Sequence, residues 1–180
     1  MSKHEIINET EEEEEYMKES KKIINIVCSI LTEIINNEKN NIINKNFYNS
    51  KDFKFDLNDN FEIKNNPNIS LQNYLSRILK YIKPQPSTII ISLILIDKMC
   101  ENSNIHLNKK NIHKIFLTSM IIAIKYNEDE YLTNNYYAKV GGILQKELFR
   151  LEYSFLNILN FNVYIDEILF KNYKDKIDNL

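Results

Sequence analysis

Glycine is nearly absent from this chain of 180 residues: there are two, adjacent at Gly141 and Gly142. A phosphate-cradling loop needs several glycines at fixed spacing, and neither Gly-x-Gly-x-x-Gly nor Gly-Lys-Ser/Thr occurs, which excludes nucleotide binding of that kind. The two cysteines, Cys28 and Cys100, are far apart and each sits in an apolar helical pattern, so they read as small buried hydrophobes rather than a disulfide or a metal pair. His4, His106 and His113 are scattered, with no second ligand at zinc spacing. Basic residues form no block beyond Lys21-Lys22 and Lys109-Lys110, and the net charge is -2. Sequence-independent nucleic-acid binding rests on phosphate neutralisation and is not expected. The N-terminus is acidic where a signal peptide would be basic and then apolar. These absences predict an intracellular soluble protein of nucleus or cytoplasm, with no membrane contact, no cofactor and no small-molecule ligand.

What remains is a helical chain, 43% hydrophobic and 27% charged, of a size for one core. Its centre is the stretch Ile112 to Tyr126. Between Ile115 and Ile124 only Thr118 and Ser119 are polar, so a helix there has no face for water and must lie among others. It is too short to span a bilayer, which takes roughly 20 apolar residues. Around it the pattern is amphipathic. Ile23, Ile24, Val27, Ile30, Leu31, Ile34 and Ile35 form one helical stripe, ending near Asn36 to Asn41. Leu71, Tyr74, Leu75, Ile78, Leu79 and Ile82 form another, with Asn68 or Ser70 to cap it and Pro84 to stop it. Pro86 suits the first turn of a third helix that runs to about Glu101 and is apolar from Ile89 to Ile96.

The central helix is expected from about Lys109 to Tyr126, a short one over Asn134 to Val140, and a long one carrying Ile143, Leu144, Leu148, Leu151, Phe155, Ile158 and Leu159. A chain this poor in glycine keeps Gly141-Gly142 where backbone needs positive φ or close helix approach. A last helix over Asp166 to Lys176 has Ile168, Leu169 and Phe170 as its apolar residues. Residues 1–20, with Glu11 to Glu15 in a run, read as a disordered or frayed lead-in, or less simply as an acidic lure for a basic partner. Residues 42–68 read as an irregular connector whose Phe47, Tyr48, Phe53, Phe55, Leu57, Phe61 and Ile63 pack onto the helices. No catalytic constellation is legible, and an enzyme is the least supported class.

Several strings carry a family resemblance. They are Ser70-Leu71-Gln72-Asn73-Tyr74-Leu75-Ser76-Arg77-Ile78-Leu79-Lys80-Tyr81, Leu95-Ile96-Asp97-Lys98-Met99, Ile112-His113-Lys114-Ile115-Phe116 and Ala123-Ile124-Lys125-Tyr126. They continue in Tyr136-Tyr137-Ala138-Lys139-Val140-Gly141-Gly142 and Glu147-Leu148-Phe149-Arg150-Leu151-Glu152-Tyr153. From Ile69 to Val163 the chain resembles a cyclin box, and within that family the P-type (phosphate-pathway) cyclins. The resemblance implies an all-α fold: a five-helix box over 69–163 with its third helix buried, an added N-terminal helix and connector over 21–68, and a short C-terminal helix in 164–180.

It also implies a non-catalytic regulatory subunit that binds a cyclin-dependent protein kinase and holds its movable C-helix inward, so that ATP is oriented. By motif position Lys125 and Glu152 would grip that helix, with Tyr126 beside them and Glu147 a weaker candidate. Read without the family, Lys125 is more simply a cation complementing its own helix end, worth about 0.3 to 1 kcal/mol, and Glu152 part of an ordinary solvated face. A cyclin-fold scaffold that binds a helical partner without activating a kinase is the alternative. In place of the Met-Arg-Ala-Ile-Leu substrate-docking motif of cell-cycle cyclins stands Pro67-Asn68-Ile69-Ser70-Leu71, so Arg-x-Leu docking is not expected. Asp97 then lacks its usual partner, and Arg77, the only arginine before Arg150, is expected to take that role. No second box is expected after Val163, and an N-terminal region without arginine has no Arg-x-x-Leu degradation motif.

Overall fold

A computed structural model describes residues 3–37, with side chains from Glu14 onward, and residues 60–180. It has helices α1 (Lys3–Asn37), α2 (Leu71–Ile82), α3 (Pro86–Asn102), α4 (Ile112–Asn127), α5 (Asn134–Gly141), α6 (Gln145–Ile158) and α7 (Glu167–Asp178). Among the described residues there is no strand. Helices α2 to α6 are the five expected of the box, and α4 is the third of them.

Every residue from Ile115 to Ile124 is buried. α4 packs against α2, α3, α5 and α6, which is why its sequence shows no polar face. Its two hydroxyls are satisfied within the helix: Thr118 donates to the Lys114 carbonyl at 2.7 Å and Ser119 to that of Phe116 at 2.9 Å. α3 is buried from Thr88 to Ile96 and lies against α1, α4, α6 and α7.

The helix ends follow from local chemistry. Ser70 caps α2 by accepting from the Asn73 N–H at 3.2 Å, and Lys83 closes it in the left-handed region ahead of Pro84. Pro86 occupies the first turn of α3. At the end of α5 the N–H groups of Gly142 and Ile143 donate to the carbonyls of Lys139 and Ala138, with Gly142 at φ 71°. That is a Schellman closure, and it needs the left-handed residue. Gly141 serves the other purpose: a β-carbon there would stand 2.2 Å from Leu117 Cδ2, so its absence lets α5 approach α4.

Four expectations are corrected. The helix drawn from Lys21 begins at Lys3, so the acidic stretch within 1–20 is helical rather than a disordered lead-in. Glutamate is a good helix former. Tyr16 also anchors this end, its hydroxyl lying 2.5 Å from the Lys83 carbonyl and 2.6 Å from that of Pro84, and burial pushes its pKa up to about 12. Leu144 is exposed because it is the N-cap residue of α6, outside the helical stripe. Ile168 is exposed, and the fully buried residue of α7 is Ile177. Ile34 likewise stands out of the α1 stripe, whereas Ile23, Ile24, Val27, Leu31 and Ile35 are buried where α1 packs on α2 and α3.

Of the connector, Phe61 is fully buried and meets Phe155 edge-on with ring centroids 6.3 Å apart, and the Ile63 N–H donates to the Lys110 carbonyl. Phe47, Tyr48, Phe53, Phe55 and Leu57 lie outside the described residues. Cys28 is buried and Cys100 half-buried, and no disulfide joins them. Among the described residues no helix is long and apolar enough to cross a membrane.

Candidate partner-binding site

Lys125 and Glu152 meet where the C-terminal turn of α4 passes the middle of α6. Lys125 Nζ lies 2.5 Å from Glu152 Oε1. The position of Glu152 follows from its neighbours: Leu148, Leu151 and Phe155 fasten α6 to the core, and Glu152, adjacent to Leu151, is left only 9% exposed. A carboxylate so placed requires partners. It has two, because its second oxygen accepts from Asn134 Nδ2 at 2.8 Å. Asn134 is the first residue of α5, held there by Thr133, whose hydroxyl accepts from the Tyr136 N–H.

An ammonium carries three donors, and among the described residues Lys125 uses one, on Glu152, which leaves two open. Its side chain is partly open to solvent.

Large apolar side chains stand exposed around this pair. Phe149 precedes Glu152 by three residues on α6, Tyr153 follows it, and they are 66% and 58% exposed. Their spacing of four residues puts them on one helix face. Tyr126 adjoins Lys125, and Tyr131 and Leu132 lie on the segment leading into α5. That segment is held by the Leu132 N–H donating to the Tyr137 hydroxyl at 2.9 Å, and burial raises the pKa of Tyr137. At the far end of α6, Phe161 is exposed and holds φ 58°. A bulky residue in the left-handed region is costly, and such strain collects at functional positions. A partly buried ion pair with exposed aromatics on the adjoining turns has the anatomy of a protein-binding surface.

Glu147 is not brought to the pair. It bonds Lys114 at 3.0 Å, and Lys114 also donates to the carbonyls of Asn60 and Glu62, so this cluster ties the end of the connector to α4 and α6. Nor do Arg77 and Asp97 meet, which corrects the expected pairing. Arg77 donates to the Lys139 carbonyl at 3.3 Å, closing the end of α5. Asp97 accepts instead from the Tyr173 hydroxyl of α7. The expectation that Asp97 needs a partner holds, but its partner comes from the last helix, which sequence spacing did not reveal. Asn134, Phe149 and Tyr153 were also missed as functional candidates. The available signal was two aromatics four residues apart on the charged face of α6.

The stretch Pro67 to Leu71 borders a groove between α1 and the start of α2, with Thr32, Ile35 and His113 also lining it. His113 Nε2 lies 3.2 Å from the Ile69 carbonyl and therefore carries the proton, and its ring meets Tyr74 edge-on. Its Nδ1 is buried without a partner among the described residues, and burial holds the imidazole below its ordinary pKa.

The comparisons agree with this architecture. The family model described as Cyclin matches residues 19–163. The chain is 34% identical over 114 residues to Cyclin-U2-1 of Arabidopsis thaliana, covering 63% of this chain and 51% of that protein. It is 32% identical over 107 residues to Cyclin-P3-1 of Oryza sativa subsp. japonica, covering 59% and 45%. It is 39% identical over 107 residues to the PHO85 cyclin-like protein psl1 of Schizosaccharomyces pombe, covering 58% and 44%. The alignments thus span about half the length of these curated relatives. With an all-helical fold, five box helices around a buried third, and a family match running from within α1 to beyond α6, the chain belongs to the cyclin family.

Proposed function

We propose that this chain is the non-catalytic regulatory subunit of a cyclin-dependent-type protein serine/threonine kinase. The observation that carries the reading is the Lys125–Glu152 pair, partly buried, with the exposed aromatics Tyr126, Phe149 and Tyr153 within three residues of it along α4 and α6. The end of a partner helix presents backbone groups with no intrahelical bond. The two spare N–H groups of Lys125 donate to such carbonyls, and the remaining lone pairs of Glu152 accept from exposed donors. The aromatics supply apolar area and exclude water from these bonds. A surface that binds the inward position of the kinase C-helix more tightly than the outward one shifts the kinase toward its active state by that difference in affinity.

The test is kinase activity. The purified chain, added to each cyclin-dependent-type kinase of its own organism, is expected to raise phosphorylation of a serine/threonine peptide by at least one of them. The Lys125→Ala/Glu152→Ala chain, shown to be folded by circular dichroism, is expected to lose that effect. Tight binding that activates nothing and survives the double substitution would identify a scaffold instead.

A further inference from the structure

The carboxylate of Glu152 is held at both oxygens, by Lys125 on Oε1 and by Asn134 on Oε2, and the three residues come from α6, α4 and α5. One bond would leave the carboxylate free to swing about its terminal torsion; two, from different helices, fix its plane. We propose that Asn134 is a positioning residue of the kinase-gripping site: it orients Glu152, so that the carboxylate and the spare donors of Lys125 face the partner in a set geometry. This deepens the function proposed above and rests on it. Asn134 touches no partner atom in this role; it acts through Glu152.

The alternative role for Asn134 is local. It is the first residue of α5, following the Thr133 cap. The two roles make opposite demands on one substitution. At the first turn of a helix an aspartate is favoured by the dipole, so a residue serving only to start α5 would accept Asn134→Asp without loss. A residue that donates to Glu152 cannot accept it, because the donor becomes a second carboxylate at the oxygen it held.

The experiment uses the full chain and the kinase it activates. Asn134→Asp is expected to weaken kinase binding at pH 7.5 by about tenfold or more, the scale of a lost hydrogen bond to a charged group. Affinity is expected to recover as the pH is lowered toward 5.5, where a proton shared by the two carboxyls removes their repulsion. Asn134→Ala is expected to bind more weakly than the parent without that pH dependence. A second arm needs no kinase. Asn134→Asp is expected to lower the melting temperature of the free chain, and Asn134→Asp/Glu152→Gln, which reverses donor and acceptor, to restore it while kinase affinity stays low. Asn134→Asp that melts and binds as the parent does overturns the proposal. If Lys125→Ala/Glu152→Ala also leaves kinase binding intact, it is the functional reading of the pair that fails, and the melting arm still decides whether Asn134 holds Glu152.

Discussion

The hydroxyl of Tyr173, on the last helix, donates to Oδ2 of Asp97 on α3. The nearby carboxylate and burial together push the Tyr173 pKa up, with burial the larger cause. One residue along, Lys98 Nζ donates to the Tyr164 carbonyl at 2.5 Å, so α3 holds the C-terminal segment at two successive positions. Tyr173→Phe leaves a partly buried carboxylate without this donor and is expected to cost about 1 to 3 kcal/mol of stability. Urea unfolding measures the loss, and hydrogen exchange should show α7 opening first. Arg77→Ala, which removes a single bond to an exposed carbonyl, is expected to cost less than Tyr173→Phe.

Gly141→Ala forces a methyl group to within 2.2 Å of Leu117 Cδ2. Overpacking of this kind costs about 1 to 3 kcal/mol. Leu117→Ala alone leaves a cavity in α4, but the two changes together should be less destabilising than their sum, because the smaller side chain makes room. A thermal-melt double-mutant cycle reads the coupling; strict additivity would mean α5 shifts as a body. Gly142→Ala, at φ 71°, is expected to cost about 1 to 2 kcal/mol through backbone strain alone.

His113 makes stability depend on pH. Its pKa in the folded chain is lowered, first by burial, so the folded state resists the proton that the unfolded state accepts. Above the unfolded value of about 6.5 both states are neutral and nothing is lost. As the pH falls below that, the unfolded state gains protons first and stability declines until the folded-state pKa is reached. Unfolding midpoints between pH 8 and pH 5 should show this slope, and His113→Gln should flatten it. An unchanged slope in the variant would assign the dependence to other groups.

Phe149 and Phe155 lie six residues apart on α6, one exposed and one fully buried. Phe155→Ala is expected to destabilise the fold by about 3 to 5 kcal/mol. Phe149→Ala and Tyr153→Ala should leave the melting temperature nearly unchanged and weaken kinase binding by about 2 kcal/mol if they are central to the interface. Isothermal titration on the folded variants separates the two effects.

The hydrophobic period of the sequence was sufficient for the five helices of the box, though not for the acidic start of α1. Leu71–Ile82 is the span drawn from its stripe, and Ser70, Pro84, Pro86 and Gly142 mark ends because capping and backbone φ depend on a few neighbouring residues. The buried character of α4 was equally plain, since a segment without a polar face can satisfy its surroundings only from inside a bundle. Lys125 and Glu152 were found through family motifs; period alone left each with an ordinary local reading.

Partners across the fold could not be read in that way. Asp97 was expected to meet Arg77 and meets Tyr173; Glu147, a weaker candidate for partner binding, bonds Lys114; Asn134 was passed over and holds Glu152. Each of these contacts depends on where two helices cross, which their own residues do not encode separately. The chain by itself determined which residues of the box are helical and most of the apolar face of each, because those follow from interactions a few residues long; it did not show the acidic start of α1 or the exposure of Ile34, Leu144 and Ile168. Which polar side chains meet was decided only when the helices packed, because side chains at a helix crossing are brought together by the core beneath them rather than by their spacing in the chain.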